Sequence, residues 1–175
     1  MKIFAEKAVR ASARPRPETM NAKLPEETSA KKQILYGVSL LVGINDEAFA
    51  LLASMAVESR VSAGHVIVHQ GELGTKLFMI AKGEVRVLRQ GRHGDVEVAR
   101  MRDGDFFGEM CILEHLPRSA SVQAVTETNL VLLSYAAFEI LFEKMPLEHH
   151  RVLSNMARSL SARLRELGDD FALRS

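Results

Sequence analysis

Cysteine and tryptophan are nearly absent from this chain of 175 residues, which has one cysteine, Cys111, and no tryptophan. A single thiol cannot form a disulfide within the chain, and it cannot build a metal site from several thiolates. The sequence therefore excludes the small secreted proteins that depend on a disulfide framework. It favours a reducing compartment, and we expect the protein to be cytoplasmic.

Long apolar runs and an excess of charge are missing as well. No run approaches the roughly 20 apolar residues that cross a bilayer, so no transmembrane segment is expected. The first residues also lack the apolar core of a secretory signal. Because the formal net charge is only +1, nothing predicts DNA binding without sequence preference or attraction to a membrane surface.

Composition and periodicity divide the chain into five segments. Hydrophobic residues make up 47% of the chain, which suits one globular domain. We predict a flexible arm over 1–30, N-terminal helices over 31–60, a β region over 61–135, two helices over 136–167 and a tail over 168–175. The arm begins with basic residues, which suit a solvated tail, contact with an acidic partner or contact with a lipid surface.

The β region consists of short runs in which apolar residues alternate with other residues. Eight of the eleven glycines fall between Gly64 and Gly108, at the spacing of turns. This pattern predicts a mainly β protein: an antiparallel β-roll, or double-sheet jelly-roll, with an N-terminal helical segment and two C-terminal helices. Residues 91–94 are predicted to form a hairpin tip.

Local patterns predict three features of the helices. Asn45 is a predicted N-cap for a helix that runs to about Glu58. In the last helix, residues 148–151 are predicted to form a solvated polar face. Further along it, a narrow apolar seam would pack on the roll, pair with a second copy of the chain, or do both. The seam consists of Leu153, Ala157, Leu160, Leu164 and Leu167.

The stretch from Gly104 to Ser121 has the residues of an anion site. Gly108 allows close backbone approach to a ligand, and a short apolar turn after it would present unpaired amides. Arg118 follows a proline and offers a planar fork of donors to two phosphate oxygens. Glu109 would repel a phosphate, so its presence indicates a ligand that also carries a donor, such as a ribose hydroxyl.

This stretch resembles the phosphate-binding cassette of the cyclic nucleotide-binding domain family. That family includes catabolite-activator-type transcription factors, regulatory subunits of cyclic AMP-dependent kinase and gated ion channels. The resemblance extends over about residues 34–167. Further motifs lie where the family would place them: Gln70-Gly71-Glu72, Gly83-Glu84-Val85, Gly104-Asp105-Phe106-Phe107 and Phe138.

The resemblance implies a set of ligand-binding residues for cyclic AMP or cyclic GMP. The cassette residues are Phe107, Gly108, Glu109, Met110, Cys111, Arg118, Ser119 and Ala120, and Val87, Val98 and Ala99 would lie near base and ribose. Cys111 would fill space in the turn, and the Ser119 hydroxyl is compatible with either nucleotide. Ser159 falls at the lid position where many relatives carry arginine, so either Arg163 stacks on the base or capping is weaker.

The function that follows is a stand-alone cyclic nucleotide receptor and not an enzyme. The resemblance implies no catalytic residue, metal or cofactor, and an output through movement of the lid helices toward an unidentified effector protein. A homodimer through the last helix is compatible with the seam. Because only eight residues follow Leu167, no helix-turn-helix fits there, and direct DNA binding is not expected. The alternatives are a degenerate scaffold without ligand and a cupin-like enzyme, which would need a metal-binding His and Glu cluster.

Overall fold

The computed structural model describes residues 35–114 and 116–174, and for residues 111, 112, 167 and 170–174 it describes the backbone alone. The predicted arm over 1–30 lies outside the described residues. So do the side chains of Cys111 and Leu167. These predictions therefore remain predictions.

Strands make up the central part of the described chain, and helices flank it. The strands are β1 Val57–Val61, β2 Val66–Val68, β3 Lys76–Lys82, β4 Glu84–Gly91, β5 Gly94–Arg102, β6 Phe106–Phe107, β7 Ser121–Ala124 and β8 Thr128–Ser134. A short 3-10 turn at Ser39–Leu41 precedes the helices α1 Asp46–Met55, α2 Met110–Glu114, α3 Tyr135–Lys144 and α4 Pro146–Arg174. In the part of the chain that is described, no helix combines the length and the apolarity needed to cross a membrane.

The strands pair into an antiparallel double-sheet roll, which confirms the predicted fold class. Among the described residues there are two four-stranded sheets, ordered β1-β8-β3-β6 and β2-β7-β4-β5. Apolar side chains from both sheets pack in one cluster, so the sheets face each other. Gly91 pairs with Gly94, which closes the β4–β5 hairpin at the predicted tip. Strand β1 lies almost wholly in the segment 31–60 that was predicted to be helical.

The helix that Asn45 begins is shorter than its sequence predicts. The side-chain oxygen of Asn45 accepts a hydrogen bond from the amide of Ala48 at 2.8 Å, so the predicted N-cap is confirmed. The helix ends at Met55 and not near Glu58, because the next residues leave it to form β1. In β1, Val57 lies opposite Leu132 of β8, and this long-range pairing prevails over local helical periodicity.

A second apolar cluster joins the helices to the sheet that contains β3 and β8. Phe49 of α1, Phe138 of α3 and Met156 of α4 are all buried in it. Leu77 and Leu133 contribute from the two strands. The first part of α4 is therefore part of the domain core and does not extend from it.

Polar side chains of α4 attach it to the segment before α1. The Glu148 carboxylate is only 8% exposed and accepts the amide of Asn45 at 3.0 Å. Arg151 donates to the Gly43 carbonyl at 2.9 Å, and Asn155 donates to the carbonyls of Leu40 and Val42 at 2.9 and 2.8 Å. The prediction of a solvated face was therefore wrong for Glu148, because residues 39–45 fold against it.

The far part of α4 also differs from its prediction. The helix continues to Arg174, where a tail was predicted from Gly168. A helical glycine costs only about 1 kcal/mol relative to alanine, and no proline follows to stop the helix. The face buried against the domain is centred on Val152 and Met156, whereas the seam residue Leu164 is 69% exposed. Of the seam residues whose side chains are described, Leu153 packs against the helical cluster and Leu160 is half-buried, whereas Ala157 is exposed like Leu164.

Candidate functional site

The predicted anion site forms a continuous surface at one end of the roll. Strand β6 ends at Phe107, Gly108 turns the chain with φ of 83°, and α2 begins at Met110. The chain then returns to Arg118, whose amide donates to the Glu72 carbonyl at 2.8 Å and whose carbonyl accepts from the Gly71 amide at 2.9 Å. The motif at residues 70–72 therefore holds the end of the cassette, although the two lie far apart in sequence.

Arg118 is buried, with 7% of its surface exposed. Its Nη1 donates to the carbonyl of Gly108 at 3.1 Å, and its Nη2 donates to the carbonyl of Lys76 at 2.8 Å. Its guanidinium carbon lies 5.5 Å from the centroid of the Phe78 ring, which stacks on Phe107 at 4.9 Å. A cation held this way is a strong anion-binding group because little water screens it.

Glu109 is the second buried charge of the site, at 5% exposure. Its Oε1 lies 3.4 Å from Nη1 of Arg163, which extends from α4. Nη2 of Arg163 donates to the Phe106 carbonyl at 2.6 Å, and its guanidinium carbon lies 5.0 Å from the centroid of the Phe106 ring. The last helix thus contacts the cassette through one arginine that forms an ion pair, a hydrogen bond and a ring contact.

The remaining cassette residues line the same surface with different exposure. Ala120 is half-buried, whereas Ser119 is exposed, and its hydroxyl donates to the sulfur of Met110 at 3.7 Å. Met110 is 38% exposed. The predicted space-filling role of Cys111 concerns a side chain that is not described.

An apolar wall faces the cassette, and it is only partly the wall that the sequence predicts. Val87 of β4 lies on it, with Met101 of β5 and Val122 of β7 as further members. Val98 and Ala99 are not among the described residues that line the pocket. Val98 falls at a bulge: Val87 pairs with Ala99 but the next residue, Leu88, pairs with Glu97, so Val98 has no position in the ladder. Ala99 keeps its position opposite Val87, so the bulge accounts for Val98 alone.

The pocket between wall and cassette has a volume of about 80 Å³. This is less than the roughly 300–1,000 Å³ that small-molecule sites usually enclose. The lining residues are Val68, Val87, Met101, Phe107, Gly108, Glu109, Met110, Arg118, Ser119, Ala120 and Val122. Val68, Met101 and Val122 were missed from the sequence, although each belongs to a run of alternating apolar residues.

The two predicted lid residues lie outside this lining. Ser159 is half-buried on α4. The sequence left Arg163 as a candidate to stack on a base. In the structure its guanidinium instead contacts Glu109 and Phe106. Arg163 is thus a residue of the cassette surface in this conformation.

Two residues around Arg118 were not predicted. They are Phe78, whose ring the guanidinium contacts, and Gly74, where an added Cβ would overlap the guanidinium. The signal for Gly74 was its place two residues after the Gln70-Gly71-Glu72 motif. Across the described part of the chain, no group of three His, Cys, Asp or Glu side chains could hold a metal ion.

Comparison with known proteins supplies the family of this site. The family model for the cyclic nucleotide-binding domain matches residues 58–145. The chain is 35% identical over 131 residues to the cyclic AMP receptor protein of Thermus thermophilus, which covers 74% of this chain and 59% of that protein. It is 34% identical over 110 residues to a cGMP-dependent protein kinase of Caenorhabditis elegans, which covers 63% of this chain and 14% of the kinase.

A solved structure extends the comparison to the whole fold. A cyclic nucleotide-binding domain from Methylobacillus flagellatus aligns with a TM-score of 0.75 and 26% identity, over 86% of this chain and 85% of that one. The match therefore includes helices outside the region of the family model. By contrast, the chain spans just over half of the Thermus protein and a small part of the nematode kinase.

Proposed function

The chain belongs to the cyclic nucleotide-binding domain family, and on that premise we propose that it is a receptor for cyclic AMP that catalyses no reaction. The observation that carries the proposal is a pair of buried charges on one pocket, Arg118 at 7% and Glu109 at 5% exposure, facing an apolar wall. A cyclic nucleotide has three matching parts: an anionic phosphate, a ribose with a hydroxyl donor, and a flat base.

Arg118 is the residue that we assign to the cyclic phosphate. Its guanidinium is buried and offers planar, permanently charged donors, which suit two phosphate oxygens better than a lysine would. Gly108 brings bare backbone to the same place, and the first amides of α2 and the Ser119 hydroxyl add donors after small rotations. Phosphate capture therefore depends on one charged side chain supported by neutral donors.

Glu109 is the residue that we assign to the ribose 2′-hydroxyl. An ionised carboxylate can accept about four hydrogen bonds, so it can take a hydroxyl while it stays paired with Arg163. Val87, Met101 and Val122 supply apolar contact for the base on the opposite side. Ser159 and Arg163 are retained as lid residues, with Arg163 acting through Glu109 and not by stacking on the base.

The output is proposed to be a change in α4 that an effector protein reads. Glu148 and Asn155 attach the first part of the helix to residues 40–45, whereas Arg163 attaches the later part to the cassette. A ligand that hydrogen-bonds to the Glu109 carboxylate acts on Arg163 through their ion pair, so movement should concentrate in residues 157–174. Leu164, at 69% exposure, is available there for an effector or for a second copy of the chain.

Cyclic AMP is proposed as the first choice of ligand, with cyclic GMP as the second. The similar proteins include a cyclic AMP receptor protein and a cGMP-dependent protein kinase, and the Thermus cyclic AMP receptor protein matches more of this chain than the nematode kinase does. Ser119 is compatible with either base, so it does not distinguish cyclic AMP from cyclic GMP.

Isothermal titration calorimetry with both nucleotides tests the proposal. Arg118→Ala should weaken binding by roughly thirty-fold or more, because truncating a buried charge-assisted contact costs about 2–5 kcal/mol. Arg92→Ala is the matched control, since Arg92 is exposed at the hairpin tip. A folded Arg118→Ala variant with unchanged affinity would contradict the assignment of the phosphate. A wild-type protein that binds neither nucleotide would favour the ligand-free scaffold.

A further inference from the structure

Gly74, in the loop between β2 and β3, lies against the guanidinium of Arg118. A Cβ placed on Gly74 would overlap Cζ, Nε and Nη2 of that side chain. The φ of Gly74 is outside the left-handed region, so its backbone conformation is open to any residue. The absence of a side chain at Gly74 therefore leaves room for the Arg118 guanidinium. The backbone conformation of the loop does not itself require a glycine there.

The guanidinium has little room to move away from a side chain at position 74. The carbonyls of Gly108 and Lys76 accept hydrogen bonds from it at 3.1 and 2.8 Å. The Phe78 ring contacts it, and stacking on Phe107 restrains that ring. A methyl group at Gly74 would therefore have to displace a buried cation from its hydrogen bonds or shift the loop.

We propose that Gly74 is a positioning residue for the ligand: its missing side chain holds the Arg118 guanidinium at the place from which it binds the cyclic phosphate. The inference rests on the proposed function of Arg118. It adds that affinity depends on a loop residue that carries no polar side chain. Preorganisation of a binding group raises affinity because less ordering remains to be done when the ligand arrives.

A double-mutant cycle between Gly74→Ala and Arg118→Ala tests the inference. We expect Gly74→Ala to weaken cyclic AMP binding at least tenfold in the wild-type background, and less than twofold in the Arg118→Ala background, where no guanidinium is left to displace. Gly64→Ala is the control for loop strain, since Gly64 has φ of +82° and nothing within 4 Å of a Cβ. It should lower stability without changing affinity.

A spectroscopic measurement gives a readout that a purely structural role of Gly74 would not change. The Arg118 Nε–H signal in a ¹H–¹⁵N spectrum, assigned by its loss in Arg118→Ala, should shift in unliganded Gly74→Ala and stay in place in Gly64→Ala.

Each outcome of these experiments has a distinct meaning. Equal affinity losses for Gly74→Ala in both backgrounds, or unchanged affinity in the wild-type background, would overturn the inference and leave the proposed function intact. An unmoved Nε–H signal would also overturn it. If the wild-type protein bound no cyclic nucleotide, the proposed function itself would fail, and that result is visible before any variant is made.

Discussion

Replacing Arg163 by alanine should destabilise the unliganded protein, because this side chain joins α4 to the cassette. The substitution removes the 2.6 Å hydrogen bond to the Phe106 carbonyl and the contact with the Phe106 ring. It also removes the cation 3.4 Å from Glu109, a carboxylate that is 5% exposed. Glu109 would then be a nearly buried charge without its Arg163 partner.

These contacts set the size of the expected loss in stability. A hydrogen bond that involves a charged group contributes about 1.5–3 kcal/mol. The ion pair is discounted, since 23% of the Arg163 side chain is exposed and solvent screens it. We therefore expect a loss of about 2–3 kcal/mol in the free energy of unfolding. For a chain of this size, each kcal/mol lowers Tm by about 2–4 °C, so the total drop should be roughly 5–10 °C.

Differential scanning calorimetry without ligand measures this effect. Arg165→Ala is the matched control, because Arg165 is exposed on the same helix and donates only locally, to the Ser161 hydroxyl at 3.0 Å. Its Tm should stay within about 2 °C of the wild type, since exposed helix pairs contribute about 0.3–0.5 kcal/mol. If Arg163→Ala melted together with Arg165→Ala, the reasoning about the attachment of α4 would be refuted.

Three further predictions concern ligand, movement and pH. If Glu109 binds the ribose 2′-hydroxyl, calorimetry should show that the wild type binds 2′-deoxy cyclic AMP at least tenfold more weakly than cyclic AMP. Glu109→Gln should bind the two nucleotides with nearly equal affinity. Equal binding of both by the wild type would contradict this role. Saturating cyclic AMP should change hydrogen exchange in 157–174 and in the cassette more than in 146–156, and a uniform change along α4 would disprove the proposed division of the helix. Partial burial beside the Phe142 ring, together with the neighbouring His150, lowers the pKa of His149, so the folded state holds that proton less tightly than the unfolded chain. The contribution of His149 to stability is complete above the unfolded pKa of about 6.5 and is lost as pH falls toward the lowered pKa. His149→Gln should therefore make Tm decline less on acidification. If its effect were no larger than that of His93→Gln, at the exposed hairpin tip, this prediction would be contradicted.

Local signals in the sequence determined the fold class and the centre of the site. Alternating residues predicted strands because a side chain in a strand faces the opposite way from its neighbour. Asn45 predicted a helix start because an N-cap acts on amides within its own first turn. Gly108, Glu109 and Arg118 could be identified as site candidates because the cassette lies within one short stretch, and the structure brings them onto one pocket.

Tertiary structure decided the features that depend on residues distant in sequence. Pairing with β8 converted the end of the predicted helix into β1, and a bulge left Val98, a predicted base contact, without a position in the ladder. Burial of Glu148 required residues 39–45 to fold against α4. Arg163 reaches Glu109 only because the first part of α4 is fixed in the core. Periodicity reports how a residue relates to its own helix or strand, whereas these contacts join elements whose relative positions follow from packing the whole domain.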